Sequence, residues 1–436
     1  METNQQAGNN TEKVYDAYAY VKKQDAEVYE ILHGEEVRQY EGLELIPSEN
    51  YVSHAVREAL ASGMTNKYSE GYPGRRYYGG QEYTDQIEVL AIERAKNLFG
   101  AKYANVQPLS GAPANMAVYA ALLKPGDTVM GLSLPHGGHL THGHPATFPA
   151  KMYNFIDYEI ADPETGTFDM KAIREKALKE KPKMIIAGFS AYTREFPWGD
   201  FAKIGQEIGA IMMADVAHIA GLIAAEVIAN PMTHGFDIMT TTTHKTLRGP
   251  RGGMILVRDS EKMFKKINKA VFPGLQGGPH MHQIAGKAVA FGEALDPSFK
   301  IYAQQVITNA RSMAEIFKKE EVRMIAGGTD NHMLLVDVWT SFNIAGKQAQ
   351  ELLDTVGITL NMNMIPGDTR TAMDPSGIRF GTPAITTRGF DEDACKELAQ
   401  MMIEVLRNPD DESLHADVKN RLRALATSFP IPETFV

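Results

Sequence analysis

The sequence predicts an α/β protein with a largely parallel central sheet. Short apolar runs of strand length recur between residues 104 and 257, and segments with helical periodicity lie between them, at 82–99, 169–180 and 200–208. Strands that alternate with helices in this way form parallel sheets that helices cover on both faces. Ligands of such sheets bind beyond the carboxyl ends of the strands, so the residues that follow each strand are the first candidates for chemistry.

The apolar runs give the order of the elements. Length and composition predict strands at residues 104–107, 127–132, 184–188, 211–214, 238–243 and 254–257. A further helix is predicted over 113–123, between the first two of these strands. Beyond about residue 291 a second group of elements is predicted, with strands at 333–338 and 357–360 and helices at 302–319, 345–356, 390–406 and 413–426. We therefore expect a large domain over residues 81–290 and a smaller C-terminal α/β domain over 291–436.

The N-terminal residues 1–80 form the third expected part. Residues 1–12 are polar and are predicted to be disordered, and a helical pattern follows at 13–37. Residues 42–80 are irregular but dense in Gly, Tyr, Arg and Asn. Flexible linkers are seldom aromatic, so this segment is predicted to be an ordered arm that packs on another surface.

Composition and charge exclude several classes of protein. The 436 residues are 44% hydrophobic and carry a formal net charge of -10, which does not suit a nucleic-acid-binding surface. A single cysteine, Cys395, cannot form an intrachain disulfide, as is typical of a reducing compartment. The longest apolar stretch, residues 211–229, contains Asp215, His218 and Glu226, which a membrane span would not tolerate. With no signal-peptide pattern at the N-terminus, we expect a cytoplasmic protein.

Lys245 is the most informative candidate residue. Four threonines at 240–243 favour a strand, and the segment Gly249–Gly253 breaks regular structure. Lys245 is therefore expected at the end of a strand, on a loop that a rigid sheet holds in place. A lysine in that position can form an imine with a carbonyl compound, although many lysines at loop starts are simply solvated.

Asp215 strengthens the case for Lys245. It comes directly after the predicted strand 211–214, where its carboxylate either caps a helix or faces a ligand at the mouth of the sheet. A pyridinium nitrogen needs such an anion to stay protonated. A lysine imine with a carboxylate partner for the ring nitrogen is the recurring signature of pyridoxal phosphate enzymes.

Three other segments carry candidate side chains. Ser110-Gly111-Ala112 follows a strand and opens a helix, so its free N–H groups form either a cup for a phosphate or a plain capped turn. The segment 136–143 concentrates histidines and glycines; it could bind a metal, but an imidazole stacked on a flat cofactor suits it better. Arg379 either forms a surface ion pair or holds a substrate carboxylate with its planar guanidinium.

With these residues assembled, the sequence resembles the serine hydroxymethyltransferases over about residues 40–390. The motifs that carry the resemblance are long: residues 45–50, 66–74, 137–143, 240–253 and 376–383. The resemblance implies a fold-type I pyridoxal phosphate transferase, in which helices sandwich a mostly parallel seven-stranded sheet in the large domain. It also implies an obligate homodimer with shared active sites, and leaves open a tetramer of such dimers.

The resemblance also implies roles for individual residues around the cofactor. Lys245 would carry pyridoxal 5'-phosphate as a Schiff base, Asp215 would pair with the pyridine nitrogen, and His136 would stack on the ring. Thr242 would assist imine exchange and Arg251 would orient the lysine loop. Ser190 and His218 would contact the phenolic oxygen, and Ser110 and Gly111 would hold the phosphate, helped by Gly278 of the partner subunit. The remaining cofactor contacts implied are Ala112 and Tyr68, and Tyr68 is also implied as a catalytic residue.

Substrate contacts follow from the same resemblance. Arg379 and Ser48 would bind the amino-acid carboxylate together with His218 nearby, and Asn363 would lie near the folate. Tyr68, Glu70 and Tyr78 would reach across the dimer into the neighbouring site, with Glu70 as the acid/base group. No metal is implied, and neither nucleic acid nor membrane is an expected partner.

The implied reaction moves the hydroxymethyl carbon of serine to tetrahydrofolate, giving glycine and 5,10-methylenetetrahydrofolate. Two departures from the family pattern lie on its ligand side: Ala112 replaces a common serine, and Met362 replaces a lysine of some relatives. They leave open a folate-independent aldolase or transaldolase acting on β-hydroxy or α-methyl amino acids. A catalytically silent binding protein with this fold is the third alternative, which an intact Lys245, Asp215 and Glu70 oppose.

Overall fold

The structure is a computed structural model that describes residues 18–432. The predicted disorder of residues 1–12 and the start of the helix at 13–37 lie outside the described residues. The helices are α1 (Ala19–Gln24), α2 (Ala26–Glu41), α3 (His54–Leu60), α4 (Glu82–Phe99), α5 (Gly111–Leu122), α6 (Phe148–Met152), α7 (Met170–Glu180), α8 (Trp198–Ile208), α9 (Ala220–Ala224), α10 (Glu261–Lys269), α11 (Met281–Ala294), α12 (Pro297–Lys319), α13 (Val338–Phe342), α14 (Gly346–Thr355), α15 (Pro383–Thr387), α16 (Glu392–Arg407) and α17 (Glu412–Ser428).

The strands include the six predicted in the large sheet. They are β1 (Leu43–Glu44), β2 (Gly71–Tyr72), β3 (Arg75–Arg76), β4 (Tyr103–Asn105), β5 (Thr128–Leu132), β6 (Asn154–Tyr158), β7 (Met184–Gly188), β8 (Ile211–Asp215), β9 (Ile238–Thr242), β10 (Gly253–Val257), β11 (Met333–Asp337), β12 (Ile358–Thr359), β13 (Asn361–Asn363) and β14 (Gly377–Gly381).

Seven strands form the central sheet, in the order β4-β10-β9-β8-β7-β5-β6. Strands β5 to β9 are parallel to one another, and β10 is antiparallel to both β4 and β9. The α/β class and the mostly parallel seven-stranded sheet are therefore confirmed. Strand β6 lies at the edge of the sheet, and its sequence Asn-Phe-Ile-Asp-Tyr has no continuous apolar run, which is why the apolar pattern did not predict it.

Alternate side chains of the strands build two cores, one on each face of the sheet. Ile185 of β7 and Met212 of β8 pack into the core on one face, and Ile186 and Met213 pack into the core on the other. This is the two-residue period of a strand that is buried on both faces. Helix α11 was not predicted, because it is apolar on most sides and lacks the amphipathic pattern of a surface helix.

A third core surrounds the C-terminal elements. Its three-stranded antiparallel sheet has the order β11-β14-β13, and α12, α14 and α16 contribute to the same hydrophobic cluster. The predicted strand at 357–360 is the short β12, which pairs with β1 from the N-terminal part. Strand β14 was not predicted, since glycines bound it on both ends. The division of the chain at residues 80 and 290 stays a prediction.

The N-terminal arm is ordered within the described residues and packs on the large sheet's helices. Its hairpin, β2 and β3, is held by Arg76, whose buried guanidinium pairs with Glu88 at 2.5 Å and Asp85 at 2.8 Å, both on α4. No helix among residues 18–432 combines the length and the hydropathy that a membrane span requires.

Candidate active site

A cleft of about 670 Å³ opens beyond the carboxyl ends of the parallel strands. The segments that follow β5, β7, β8 and β9 form most of its walls, and the start of α5 and the strand pair β13–β14 complete them. This is the position that ligands occupy in open α/β sheets. The predicted site residues that line the cleft are Ser48, Ser110, Gly111, Ala112, Ser190, His218, Lys245, Arg251, Asn363 and Arg379.

Lys245 lies three residues after β9 and its side chain faces the cleft. Its loop is fixed through the backbone, because the Lys245 carbonyl accepts hydrogen bonds from Asn50 Nδ2 at 3.0 Å and from the Arg248 amide at 3.1 Å. Burial lowers the pKa of Lys245 to about 8, against the opposing charge of Asp215. About a tenth of the amine is therefore neutral at pH 7, far more than for an ordinary lysine, and the neutral amine is the form that acts as a nucleophile.

Asp215 is the last residue of β8 and lies beside Thr240 of β9. Its buried carboxylate accepts hydrogen bonds from Asn115 Nδ2 at 2.8 Å, His142 Nε2 at 3.0 Å and the Ala217 amide at 3.1 Å. Burial alone raises the pKa of Asp215, but the hydrogen bonds from His142 and Asn115 outweigh burial and hold the pKa far below the ordinary range. The group is a fixed anion beneath the cleft, next to the strand that leads to Lys245.

His142 is a hydrogen-bond donor to Asp215 rather than a metal ligand. Its Nδ1 accepts from the backbone amide of His139 at 3.2 Å, which places the ring proton on Nε2, the atom that faces Asp215. The ligand atoms of His139, His142 and Asp215 lie within 4.8 Å of one another. Because that proton occupies Nε2, the cluster is better described as a hydrogen-bonded support for the carboxylate than as a metal centre.

The start of α5 forms a cup for an anion. Ser110 precedes the helix in an extended conformation, and its side chain makes no capping hydrogen bond to the first turn. Its hydroxyl group therefore keeps both its donor and its acceptor capacity for a ligand. Gly111 is required by close packing, because a Cβ atom there would lie 2.9 Å from the methyl carbon of Thr242. Thr242 itself is buried behind the cup and donates its hydroxyl proton to the Ala217 carbonyl at 3.2 Å. The free N–H groups and dipole of α5 therefore point into the cleft.

Arg379 enters the cleft from the opposite side. It lies in the centre of β14, where its Nε donates to Asn361 Oδ1 at 3.1 Å and its Nη1 donates to the Ser190 carbonyl. Burial lowers the pKa of Arg379 to about 10, so the guanidinium remains a cation at neutral pH. Ser48 also lines the cleft, on a segment whose Leu45 carbonyl accepts from the Gly381 amide of β14.

His218 contributes a buried neutral imidazole. Burial holds the pKa of His218 well below its usual range, and its ring stacks on His332 with centroids 5.7 Å apart. Among the described residues, its Nδ1 makes no hydrogen bond. An unpaired buried nitrogen beside a cleft is a group that a bound ligand can satisfy. Together with the amine, the carboxylate, the cup and the guanidinium, these groups suit a phosphorylated aromatic aldehyde and an amino acid.

Comparison with known protein families agrees with this geometry. The model of a family described as "Serine hydroxymethyltransferase" matches residues 21–402. The chain belongs to the serine hydroxymethyltransferase family. This family consists of fold-type I pyridoxal phosphate-dependent transferases, and its substrates are serine, glycine and folates.

Two histidines of the glycine-rich loop differ from the expectation. His136, predicted to stack on the cofactor of this serine hydroxymethyltransferase family member, does not line the cleft. Its Nδ1 accepts from the Ile160 amide at 3.1 Å, and its Nε2 lies 3.8 Å from the exposed Glu159. His139 lines the cleft instead, because Gly137 and Gly138 turn the chain between the two histidines.

Four predicted site residues lie together outside this cleft. The Tyr68 hydroxyl donates to Glu70 Oε1 at 3.2 Å, and the rings of Tyr68 and Tyr78 meet edge to face at 5.2 Å. A Cβ atom at Gly278 would touch the Tyr68 ring at 3.4 Å. These are the four residues that the family resemblance assigns to the neighbouring subunit's site. Their position on one exposed surface of their own chain is consistent with that assignment.

Sequence reasoning missed three residues of the site. Asn115 and His142 hold the Asp215 carboxylate, and His139 faces the cleft. Asn115 lies in the first turn-and-a-half of α5, and a helical asparagine carries no signal by itself. Its role follows only from the register that brings α5 against β8 and β9, where its Oδ1 also accepts from Thr240 at 2.7 Å.

Proposed function

We propose that this protein is a serine hydroxymethyltransferase that moves the hydroxymethyl carbon of serine to tetrahydrofolate, giving glycine and 5,10-methylenetetrahydrofolate. One observation carries the proposal: the Lys245 amine with its lowered pKa and the Arg379 cation line one cleft, and the buried Asp215 anion lies close enough to act on the pKa of Lys245. The cytoplasmic location and a homodimer with shared sites belong to the same proposal.

The residues of the cleft fit pyridoxal 5'-phosphate. The α5 N-terminus, with Ser110, Gly111 and Ala112, would hold the phosphate, and the fixed anion of Asp215 would hold a proton on the ring nitrogen. Lys245 would bind the aldehyde carbon. When bound, the cofactor supplies an electron sink for the bonds at the amino acid's Cα. Ala112 replaces a hydroxyl that would add one hydrogen bond to the phosphate, worth about 1.5–3 kcal/mol when charged groups are involved.

The other side chains bind and orient the substrates. Arg379 and Ser48 would fix the amino-acid carboxylate, His139 would cover one face of the cofactor ring, and Ser190 and His218 would accept or donate at its phenolic oxygen. Glu70 from a second copy of the chain would move a proton at the serine hydroxyl. Asn363 and Met362, both in the cleft wall, would contact the folate.

The deciding experiment measures turnover of serine with and without tetrahydrofolate, in protein reconstituted with pyridoxal phosphate. A hydroxymethyltransferase forms glycine from serine rapidly only when tetrahydrofolate is present. Threonine and allo-threonine are the comparison substrates. Fast cleavage of these two, together with serine cleavage that ignores folate, would instead establish the aldolase alternative. No cofactor uptake at all would favour a silent binding protein.

The two loop histidines give a matched pair of variants. His139→Ala is expected to weaken pyridoxal phosphate binding and to lower kcat about 10-fold or more, since it removes a ring that faces the cleft. His136→Ala is expected to change kcat by less than about 2-fold, because His136 faces Glu159. Cofactor titration and serine turnover of both variants check this. The reverse ranking would restore His136 as the residue that stacks on the cofactor.

The pKa of Lys245 predicts how cofactor capture depends on pH. Burial lowers this pKa to about 8, so the amine is mostly protonated at pH 6 and mostly neutral at pH 9. Because the neutral amine is the nucleophile, the rate at which the apo-protein captures pyridoxal phosphate is expected to rise with pH, to reach half its limit near pH 8 and to level off above about pH 9. Stopped-flow absorbance at fixed ionic strength measures it. A rate still rising beyond pH 10 would indicate an ordinary solvated lysine.

A further inference from the structure

Lys287 is a fully buried lysine that the proposed chemistry does not use. It lies on α11 with a side chain that is 1% exposed. Its Nζ donates to the backbone carbonyls of Val106 at 2.6 Å, Gly253 at 2.8 Å and Pro108 at 3.1 Å. All three protons of an ammonium group are thus used, and every acceptor is a main-chain oxygen.

These three carbonyls belong to two segments: one leads into the cup, and the other follows the Lys245 loop. Val106 and Pro108 lie between β4 and the cup residue Ser110, and Gly253 begins β10 directly after the Lys245 loop. The Gly253 amide also donates to the Pro108 carbonyl at 2.9 Å. Lys287 therefore joins the chain that leads into the cup to the chain that leads out of the lysine loop.

The glycines at 252 and 253 leave the space that Lys287 and the Ser110 carbonyl occupy. A Cβ atom at Gly252 would lie 2.4 Å from Cε of Lys287, and one at Gly253 would lie 2.4 Å from the Ser110 carbonyl oxygen. A side chain at position 253 would require the backbone to move, and a side chain at position 252 would displace the end of the Lys287 side chain. The Gly-Gly sequence thus admits a buried cation on one side and the cup on the other.

The charge of Lys287 has no directly bonded anion among the described residues. Burial lowers its pKa to about 7, opposed by Glu88 on α4. The Glu88 carboxylate is itself engaged by Arg76 and Gln107. The other charged or titratable groups around Lys287 are cations or neutral: Arg94 of α4 donates to the Ala288 carbonyl beside it, and burial lowers the pKa of His244. An anion in the cup would add the missing negative charge.

We infer that Lys287 is a positioning residue for the cup at Ser110–Ala112 and supplies a buried positive charge for the phosphate dianion bound there. This inference rests on the proposed function, which places that phosphate in the cup. The ammonium acts without touching the ligand. It fixes the carbonyls of the segment that leads into the cup and of the neighbouring strand β10, and its charge acts through a protein interior that screens charge less than water does.

The test compares pyridoxal 5'-phosphate with pyridoxal, which lacks the phosphate. In Lys287→Met, which keeps an unbranched side chain that is one atom shorter and uncharged, we expect the affinity for pyridoxal phosphate to fall about 10-fold through the loss of a buried charge interaction. Pyridoxal binding, followed by absorbance, is expected to stay within about 2-fold, because only the phosphate needs the charge. Lys262→Met, at an exposed position of α10, is the matched control.

Each outcome separates the inference from the proposed function. Equal losses for both ligands would reduce Lys287 to a purely structural role, and no loss for either would remove it from the cup. If the wild type binds pyridoxal phosphate normally, either result overturns the inference about Lys287 and leaves the proposed function standing. A wild type that binds neither ligand overturns the proposed function.

A second measurement applies if Lys287→Met does not fold. In Lys245→Ala, the side-chain carbon resonances of ¹³C-labelled lysine report the titration of Lys287 without that of Lys245. Sulfate is a dianion at every pH used, so its binding in the cup is expected to raise the pKa of Lys287 measurably, by linkage. A titration that saturating sulfate leaves unchanged would overturn the inference.

Discussion

Lys245→Ala is expected to lose serine turnover almost completely, to below about one-thousandth of the wild-type rate, as is usual when a covalent partner is removed. The fold should remain intact. The bonds that hold the loop run from Asn50 and Arg248 to the carbonyl of Lys245, which the substitution keeps. The variant also removes a cation whose burial lowers its pKa by more than the charge of Asp215 raises it, so little stability is lost with that charge.

Steady-state kinetics with serine and tetrahydrofolate measure this loss, and thermal unfolding checks the fold. Lys262→Ala, an exposed lysine on α10, is the control and should behave like the wild type. The Lys245→Ala protein should still bind pyridoxal phosphate through the cup, but without the absorbance of a lysine-bound cofactor. Turnover near the wild-type level would remove Lys245 from the mechanism and with it the central step of the proposal.

The fold could be predicted wherever burial is continuous along a strand. Strands β7, β8 and β9 are buried at nearly every position, so their apolar runs are visible without any knowledge of their neighbours. Strand β6, at the edge of the sheet, contains the exposed polar residues Asn154 and Asp157, and strand β14 has Arg379 at its centre, so neither has a continuous apolar run. Such strands depend on pairing partners that are distant in sequence, and the local pattern does not contain them.

The site followed the same rule. Lys245 and Asp215 could be found because each comes directly after a buried strand, and strand ends converge at one edge of a parallel sheet. His139 could not be chosen over His136 from spacing, because the choice depends on how Gly137 and Gly138 turn the chain. Residues that support the site without lining it, such as Asn115 and Lys287, are harder still to predict from the sequence. Their roles come from contacts across more than 90 residues of sequence, which a one-dimensional pattern does not show.

The second prediction with a large expected effect on turnover concerns Glu70 and the surface on which it lies. Tyr68, Tyr77 and Tyr78 are 58%, 73% and 50% exposed around it, an unusual concentration of aromatic rings for a free surface. Glu70 lies on this surface, and the cleft of its own chain is lined by other residues. A protein that needs Glu70 for catalysis must then bring it to a cleft on a second copy. In a two-fold dimer each chain would complete the other's site.

Mixing two inactive variants tests that arrangement. Lys245→Ala and Glu70→Ala homodimers should each be nearly inactive. The first substitution disables the cleft of the chain that carries it, and the second disables the cleft of the other chain in the dimer. In a heterodimer, one cleft combines both substitutions, whereas the other combines an intact lysine with an intact glutamate. Random re-association of equal amounts should therefore restore about a quarter of the wild-type activity per subunit, since half the dimers carry one working site of two. Glu70→Gln is the closer isostere, and it should give the same rescue if the carboxylate is what matters. If Glu70 served the cleft of its own chain, both clefts of every heterodimer would carry one lesion each, and the mixture would stay as inactive as its parts.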